Sequence, residues 1–282
     1  MAEEPKNTLQ TSIQTVGTYQ WGMVIDTDRC TGCKACVIAC RAENNIQTIG
    51  ADQIAMGRLM DWMRVDRFWQ DEFHHKTSTG RLASDQEETE KHIQQDAYSG
   101  DGYPNVVATF VPMLCQQCGT APCESVCPVF AAVHTNDGLN AQVYNRCVGT
   151  RVCANNCPYR VRIFNFFTPK WDAPMEQMLN PDVSVRSEGV MEKCTFCVQR
   201  IRRSFLDAKV AGNPVQDGEL RSACAQACPT SAITFGDMND PHSAVNVVLH
   251  ENASRSYKVL DELFDTKPHV IYLRPQRVPD AL

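Results

Sequence analysis

Residues 21–30, WGMVIDTDRC, place Met23 and Ile25 in alternation, and a period of two predicts a strand leading into the first dense run of cysteines. WMRVDRFW (62–69) alternates in the same way, and VVATFVPML (106–114) is apolar, strand-length and interrupted by a proline. AAVHTNDGLNAQVYN reads as a hairpin about Asn136-Asp137-Gly138, and SAITFGDMND repeats that strand–turn logic after Cys228. RIRRSFLDAKVAG (200–212) reads as a basic helix ended by Gly212. DPHSAVNVVLHENASRSYKVLDELF carries helical periodicity, with Asp240 as the candidate cap and Pro241 in the first turn. HVIYLRP predicts a final strand. Residues 1–19 read as an arm, flexible or gripping a partner. Residues 41–105 form a long cysteine-free insertion, of which 84–104 is polar and charged, a surface loop or short helix.

Nowhere do roughly 18 consecutive apolar residues occur, so no membrane-spanning helix is expected. The polar, acidic start has no basic n-region, no apolar h-region and no twin arginine, so no export signal is expected. Hydrophobic residues make up 43% of the 282, enough for one large domain or two small ones. A net charge of −6 offers no basic excess for nucleic acid. The 15 cysteines change the picture. Their number is odd, and most stand two or three residues from a neighbour, which suits shared metal centres better than a disulfide framework. Because metal centres would replace part of the core, no wide hydrophobic core is expected.

The cysteines fall into four groups. CTGCKACVIAC holds Cys30, Cys33, Cys36 and Cys40. CQQCGTAPCESVCP holds Cys115, Cys118, Cys123 and Cys127. CVGTRVCANNCP holds Cys147, Cys153 and Cys157. The last is divided between CTFC (Cys194, Cys197) and CAQACP (Cys224, Cys228). In an iron–sulfur cubane each iron takes one thiolate; two intervening residues let neighbouring thiolates reach adjacent corners, and the cysteine three residues further on serves the other cluster in two-cluster ferredoxins. The prolines after it (Pro128, Pro158, Pro229) cannot continue a helix; group one has Arg41 there. Cys194, Cys197, Cys224 and Cys228 alone could be read as a structural zinc site. Groups one and two are too crowded for that reading. No Cys-x-x-Cys pair is followed by histidine, so covalent haem is not indicated.

Group three has Thr150 where a fourth cysteine would stand. Its hydroxyl stays protonated and is a poor iron ligand, so the iron at that corner would be lost; a broken site is the alternative, but the other three ligands and Pro158 keep the normal spacing, which favours [3Fe–4S]. The expected inventory is three [4Fe–4S] clusters and one [3Fe–4S] cluster, which uses every cysteine and makes Thr150 the non-ligand position at the three-iron cluster.

FVPMLCQQCGTAPCESVCPV, GLNAQVYNRCVGTRVCANNCPYRVRIFNFF, LNPDVSVRSEGVMEKCTFCVQRI and RSYKVLDEL resemble the iron–sulfur part of alternative complex III and the matching subunit of the menaquinone reductase (Qrc) complex. More broadly, residues 20–275 resemble the four-cluster electron-transfer subunits of molybdopterin-type oxidoreductases. The resemblance implies an α+β fold of duplicated ferredoxin-like iron–sulfur domains with insertions and a C-terminal extension. One half would be 20–110 with 190–240, around groups one and four. The other would be 111–189, around groups two and three, with 241–282 as the extension. It also implies the ligand sets: Cys30, Cys33, Cys36 and Cys228; Cys40, Cys194, Cys197 and Cys224; Cys115, Cys118, Cys123 and Cys157; and, for [3Fe–4S], Cys127, Cys147 and Cys153. The implied partners are a molybdopterin-fold subunit, a multihaem c-type cytochrome and a polytopic quinone-binding membrane subunit. The implied place is the periplasmic face of the cytoplasmic membrane, reached by export bound to a partner. A soluble carrier in the cytoplasm is the alternative.

Several other residues carry weaker signals. The pair His74-His75 reads as solvated surface, and His134 as structural rather than ligating. Arg146, Arg151, Arg160 and Arg162 surround group three, where guanidinium groups would favour the reduced, anionic cluster or else form an ordinary salt-bridged surface. Phe164, Phe166, Phe167 and Trp171 form an aromatic run suited to packing or to a partner. No catalytic dyad, phosphate loop or heptad is present, so no chemical step of its own is expected.

Overall fold

A computed structural model describes residues 19–70, 107–215 and 217–276. Most of the arm, the polar stretch 84–104 and His74-His75 lie outside the described residues. The elements run β1 (Trp21–Asp26), α1 (Ala35–Glu43), α2 (Ala51–Ala55), β2 (Arg64–Gln70), β3 (Val107–Met113), α3 (Pro122–Ser125), β4 (Ala132–His134) and β5 (Asn140–Gln142). They continue with α4 (Val152–Asn155), β6 (Ile163–Phe164), β7 (Met191–Glu192), α5 (Val198–Ala211), α6 (Ala223–Gln226), β8 (Ile233–Asp237), α7 (Ala244–Glu251), β9 (Ser256–Tyr257), α8 (Asp261–Phe264) and β10 (Val270–Leu273). This mixture of helix and strand is α+β.

The main sheet has the order β8-β1-β10-β9. β1 lies antiparallel to β8 and parallel to β10. As a central strand it is buried on both faces, and its alternation sorts side chains between two cores. Trp21, Met23 and Ile25 join the main buried cluster. Val24 points the other way, onto Val245 and Leu273, where α7 covers the sheet. Two-stranded pairs β2-β3, β4-β5 and β6-β7 complete the strands among the described residues.

The expected hairpin is β4-β5, with Gly138 at φ 79° in its turn; a left-handed backbone there is one that glycine adopts without steric cost. The strand and turn of SAITFGDMND form as expected, but β8 pairs with β1, so the two C-P segments differ in where their strands find partners. α5 ends at Gly212, whose φ of 72° lets it close the helix. The expected cap of α7 is corrected: Ser243 is the N-cap, its Oγ accepting the Asn246 N–H at 3.3 Å. Asp240 instead accepts the His242 N–H at 2.9 Å in the preceding turn, since a Pro-containing turn intervenes before helical geometry begins.

The core is also wider than expected. One continuous cluster of buried residues runs from Trp21 through Met60, Phe196 and Ile201 to Tyr272, and takes in Cys36, Cys40, Cys115, Cys118, Cys194 and Cys224. A cysteine side chain packs as a small apolar group, so the core is not interrupted where the cysteines enter it. Trp21 stacks on Phe235 at 5.7 Å, and Phe196 meets Phe235 edge-on at 5.4 Å.

Replacing Ser243 with alanine removes the cap of α7 at a cost of about 1 kcal/mol. The expected result is roughly fivefold faster amide exchange in the first turn of α7, read by hydrogen–deuterium exchange mass spectrometry, with the exchange of β1 unchanged.

Candidate metal centres

Four helical turns present cysteines in the same way. Cys36 and Cys40 lie on α1; Cys123 lies on α3 with Cys127 just beyond it; Cys153 and Cys157 relate likewise to α4, and Cys224 and Cys228 to α6. Where proline follows the second cysteine, the helix is only four residues long. Where Arg41 follows instead, α1 continues to nine residues. The longer helix has consequences: Arg41 pairs with Asp61, Glu43 pairs with Arg200 at 2.6 Å, and Asn45 donates to the carbonyls of Asn180 and Val183. After each C-P the chain turns through a left-handed residue, Phe130, Arg160 or Ser231, with φ of 50°, 52° and 50°. That turn aims an N–H back at sulfur. Ala131 N donates to Cys127 Sγ at 3.1 Å, and Ala232 N to Cys228 Sγ at 3.3 Å.

Thr150 stands in a loop that repeats the geometry of group one. Gly32 and Lys34, either side of Cys33, have φ of 70° and 61°. Gly149 and Arg151, either side of Thr150, have φ of 72° and 61°. The threonine therefore takes the backbone place of Cys33, and like Cys33 it is exposed.

The distant groups are brought together in a definite way. Cys30, Cys33, Cys36 and Cys228 line one small cavity with Thr31 and Pro229. Cys115, Cys118, Cys123 and Cys157 line another. Burial, followed by the neighbouring Cys194, Cys197 and Cys224, pushes the Cys40 thiol well above its ordinary value. Cys147 and Cys153 pack in one apolar cluster with Met191 and Cys123, and Cys127 follows α3, which packs against α4. Cys228 thus lies with group one rather than completing a zinc site with Cys194, Cys197 and Cys224. Among the described residues, no three His, Cys, Asp or Glu side chains converge tightly enough for a single ion. A lone zinc demands ligands at about 2.3 Å from one centre, whereas a cubane carries its thiolates on separate irons.

The sets also lie close to one another in turn. α1, with Cys36 and Cys40, packs on α6, with Cys224; Gln117, beside Cys118, donates to the carbonyl of Cys194 at 2.8 Å; and Cys123 and Cys153 share the guanidinium of Arg162. The thiols fit an iron–sulfur group in chemistry as well as placement. All 15 are free of disulfides. Burial and then its neighbours Cys115, Cys123 and Cys157 push Cys118 up to about 12, so ionising such a set needs metal cations to share the charge. At Cys127 burial is outweighed by the N–H groups of Ala132, Val129 and Ala131, which bring the thiol below its ordinary value.

Of the four arginines expected around group three, only Arg162 is buried. Arg151 lies over Phe164 at 5.1 Å, and Phe164 meets Phe166 edge-on at 4.6 Å, so much of the aromatic run packs locally. His134 is structural, its Nδ1 2.7 Å from Glu124. Sequence reasoning missed Lys193, wholly buried, and the network in which Glu192 receives Arg186, Trp62 and Asn165 at 3.1, 3.0 and 3.0 Å. Nothing in a linear reading marks these residues, since charge beside cysteine usually means solvent exposure.

The family model for a 4Fe–4S binding domain matches residues 21–42. The sequence is 38% identical over 260 residues to the menaquinone reductase iron–sulfur cluster-binding subunit of Nitratidesulfovibrio vulgaris, covering 90% of this protein and 88% of that one. It is 30% identical to the Hdr-like menaquinol oxidoreductase iron–sulfur subunit 1 of Archaeoglobus fulgidus, covering 90% and 83%. It is also 30% identical to the arsenate respiratory reductase iron–sulfur subunit of a Shewanella species, covering 92% and 98%.

A Cβ on Gly149 would collide with the carbonyl oxygen of Gly189 and would sit at a positive φ, a strain of roughly 1–3 kcal/mol. Gly149→Ala should therefore lower the iron content by the share of one cluster, leaving the others in place, as read by iron and sulfide analysis of the purified protein.

Proposed function

The protein belongs to the iron–sulfur subunits of the menaquinone reductase and alternative complex III family, kin of the electron-transfer subunits of molybdopterin oxidoreductases, and on that premise we propose that it relays electrons through three [4Fe–4S] clusters and one [3Fe–4S] cluster toward menaquinone. The observation that carries this reading is the close approach of the elements that hold successive cysteine sets: α1 packs on α6, Gln117 beside Cys118 donates to the carbonyl of Cys194 at 2.8 Å, and Arg162 donates to Cys123 Sγ. A cluster bound in each set would take up one electron at a time and pass it to its neighbour.

The residues divide the task as follows. Cys30, Cys33, Cys36 and Cys228 hold the first [4Fe–4S]. Cys40, Cys194, Cys197 and Cys224 hold the second, and Cys115, Cys118, Cys123 and Cys157 the third. Cys127, Cys147 and Cys153 hold the [3Fe–4S], with Thr150 as the position that offers no ligand. Backbone N–H groups at Cys127, Cys147, Cys194, Cys197 and Cys228 stabilise negative charge on sulfur. The repeated loops and C-P turns support a duplicated ferredoxin-like ancestry for the two halves.

Around the three-iron site Phe130 and Val148 are 70% and 65% exposed. This supports docking of the polytopic quinone-binding membrane subunit at that end, with a molybdopterin-fold subunit and a multihaem c-type cytochrome supplying electrons from the other. Among the described residues no helix is long and apolar enough to cross a membrane; the likeness to the menaquinone reductase subunit supports attachment through partners on the periplasmic face.

Two measurements test the proposal. The air-oxidised protein should show the paramagnetic signal of a [3Fe–4S] cluster, and Thr150→Cys should abolish it while raising iron content by one atom per chain; a silent oxidised spectrum at full iron loading would remove the three-iron cluster. Gentle detergent extraction through this subunit should bring down a multihaem cytochrome and a polytopic membrane protein, and protease added to intact spheroplasts should degrade it. Recovery alone from the soluble fraction would favour a soluble carrier instead.

A further inference from the structure

Among the described residues three cations, Arg162, Arg186 and Lys193, are deeply buried, and they are not alike. Arg186 is paired with Glu192 at 3.1 Å. Among the described residues, Arg162 and Lys193 have no carboxylate partner. Arg162 donates from Nη1 to Cys123 Sγ at 3.1 Å and to Asn140 Oδ1 at 3.3 Å, and from Nη2 to Gln142 Oε1. Lys193, with 0% exposure, donates from Nζ to the carbonyl of Asn140 and, at 3.0 Å, to that of Cys194. Asn140 thus receives both cations, through its side chain and its backbone. The nearby carboxylate of Glu124 is occupied by Asn140 and His134.

An unpaired buried charge is costly unless opposite charge compensates it. Here the opposite charge would come from cluster-bound thiolate: Arg162 Nη1 lies 3.1 Å from Cys123 Sγ, and Asn140, which receives Lys193 on its carbonyl, has its Oδ1 3.9 Å from the same sulfur. The two cations occupy successive joins. Lys193 adjoins Cys194 of the second set and is held by Asn140, which lies beside Cys123 of the third. Arg162 joins Cys123 to Cys153 of the last set.

Resting on the ligand sets proposed above, we propose that Arg162 and Lys193, held by Asn140, are a potential-setting pair centred on Cys123, which makes the third cluster easier to reduce than its four thiolates alone would. Reduction adds negative charge to a site already anionic, and a fixed cation in a low-dielectric surrounding favours that state. The second and last clusters each lie beside one of the cations. The first lies beside neither. The third cluster becomes the place where an electron rests between the two ends of the row of clusters, and these are positioning residues that act through the cluster they flank.

The test is a redox titration of the intact complex, following each cluster by electron paramagnetic resonance, with Cys123→Ser used to identify the third cluster's signal. In Arg162→Gln the third and last clusters should become harder to reduce; in Lys193→Gln the second and third should. The shift at the third cluster should be about tenfold in the ratio of reduced to oxidised protein, about 59 mV for one electron. Arg162→Lys and Lys193→Arg should keep most of the wild-type value. Should the neutral variants lose iron, Asn140→Asp sets a carboxylate against Arg162 and beside Cys123 without removing either cation, and it should shift the third cluster in the same direction. An unmoved third cluster at full iron content, an equal shift in all clusters, or charge-keeping variants that shift as far as the neutral ones would each overturn the pair's role. If the wild type itself shows no set of four clusters, the ligand assignment fails instead.

Discussion

Two cysteines four residues apart, separated by one short helical turn, serve different sets: Cys36 lies with Cys30, Cys33 and Cys228, while Cys40 lies with Cys194, Cys197 and Cys224. Cys224 and Cys228 cross in the opposite sense. This crossing is the constraint on which the rest of the structure depends. It forces α1 and α6, remote in sequence, to pack on each other, and with them β1 against β8 and β10. The sheet and the thiols therefore close the same long loop, and the buried cluster is continuous through both.

Packing so many thiols in a core creates an electrostatic problem, and the fold meets it in two ways. Turns after C-P direct backbone N–H groups onto sulfur, which stabilises negative charge without burying a further ion. Side chains supply the remainder. The Arg186–Glu192 pair is compensated internally, and its further bonds to Asn44, Asn45 and Ser184 carbonyls hold the segment after α1 against the 180s. Arg162 and Lys193 are left to answer the thiols. A buried ion pair adds little net stability, so Arg186 and Glu192 matter for the geometry they impose on the loops beside Cys147 and Cys194.

Much of the fold was legible because its signals are local. The β4-β5 hairpin follows from Asn136-Asp137-Gly138, the end of α5 from Gly212, and β1 and β10 from short apolar runs. What was misread involved competition between neighbours. Asp240 and Ser243 are both sound caps in isolation, and only the turn around Pro241 decides between them. The strand in SAITFGDMND looked like part of a local hairpin because a linear reading weighs near partners over distant ones, whereas β1, paired on its other edge with β10, offers the longer ladder. Arg41 in place of proline lets α1 run longer, and the contacts of Glu43 and Asn45 follow from that length.

By itself the sequence determined the chemistry. Cysteine spacing, the prolines that end three helical turns and the glycines that allow left-handed loops act over a few residues, and they specify thiol groups of a given shape wherever they occur. It also marked Thr150 as the exception, since a hydroxyl that keeps its proton differs from a thiolate in any fold. The tertiary structure alone decided which half-groups meet, that Arg162 is buried while Arg146, Arg151 and Arg160 are exposed, and that Lys193 lies in the interior. Burial and long-range charge are properties of what packs around a residue, and that surrounding is assembled from segments more than a hundred residues apart, such as Trp62 with Glu192 and Tyr272 with Pro112.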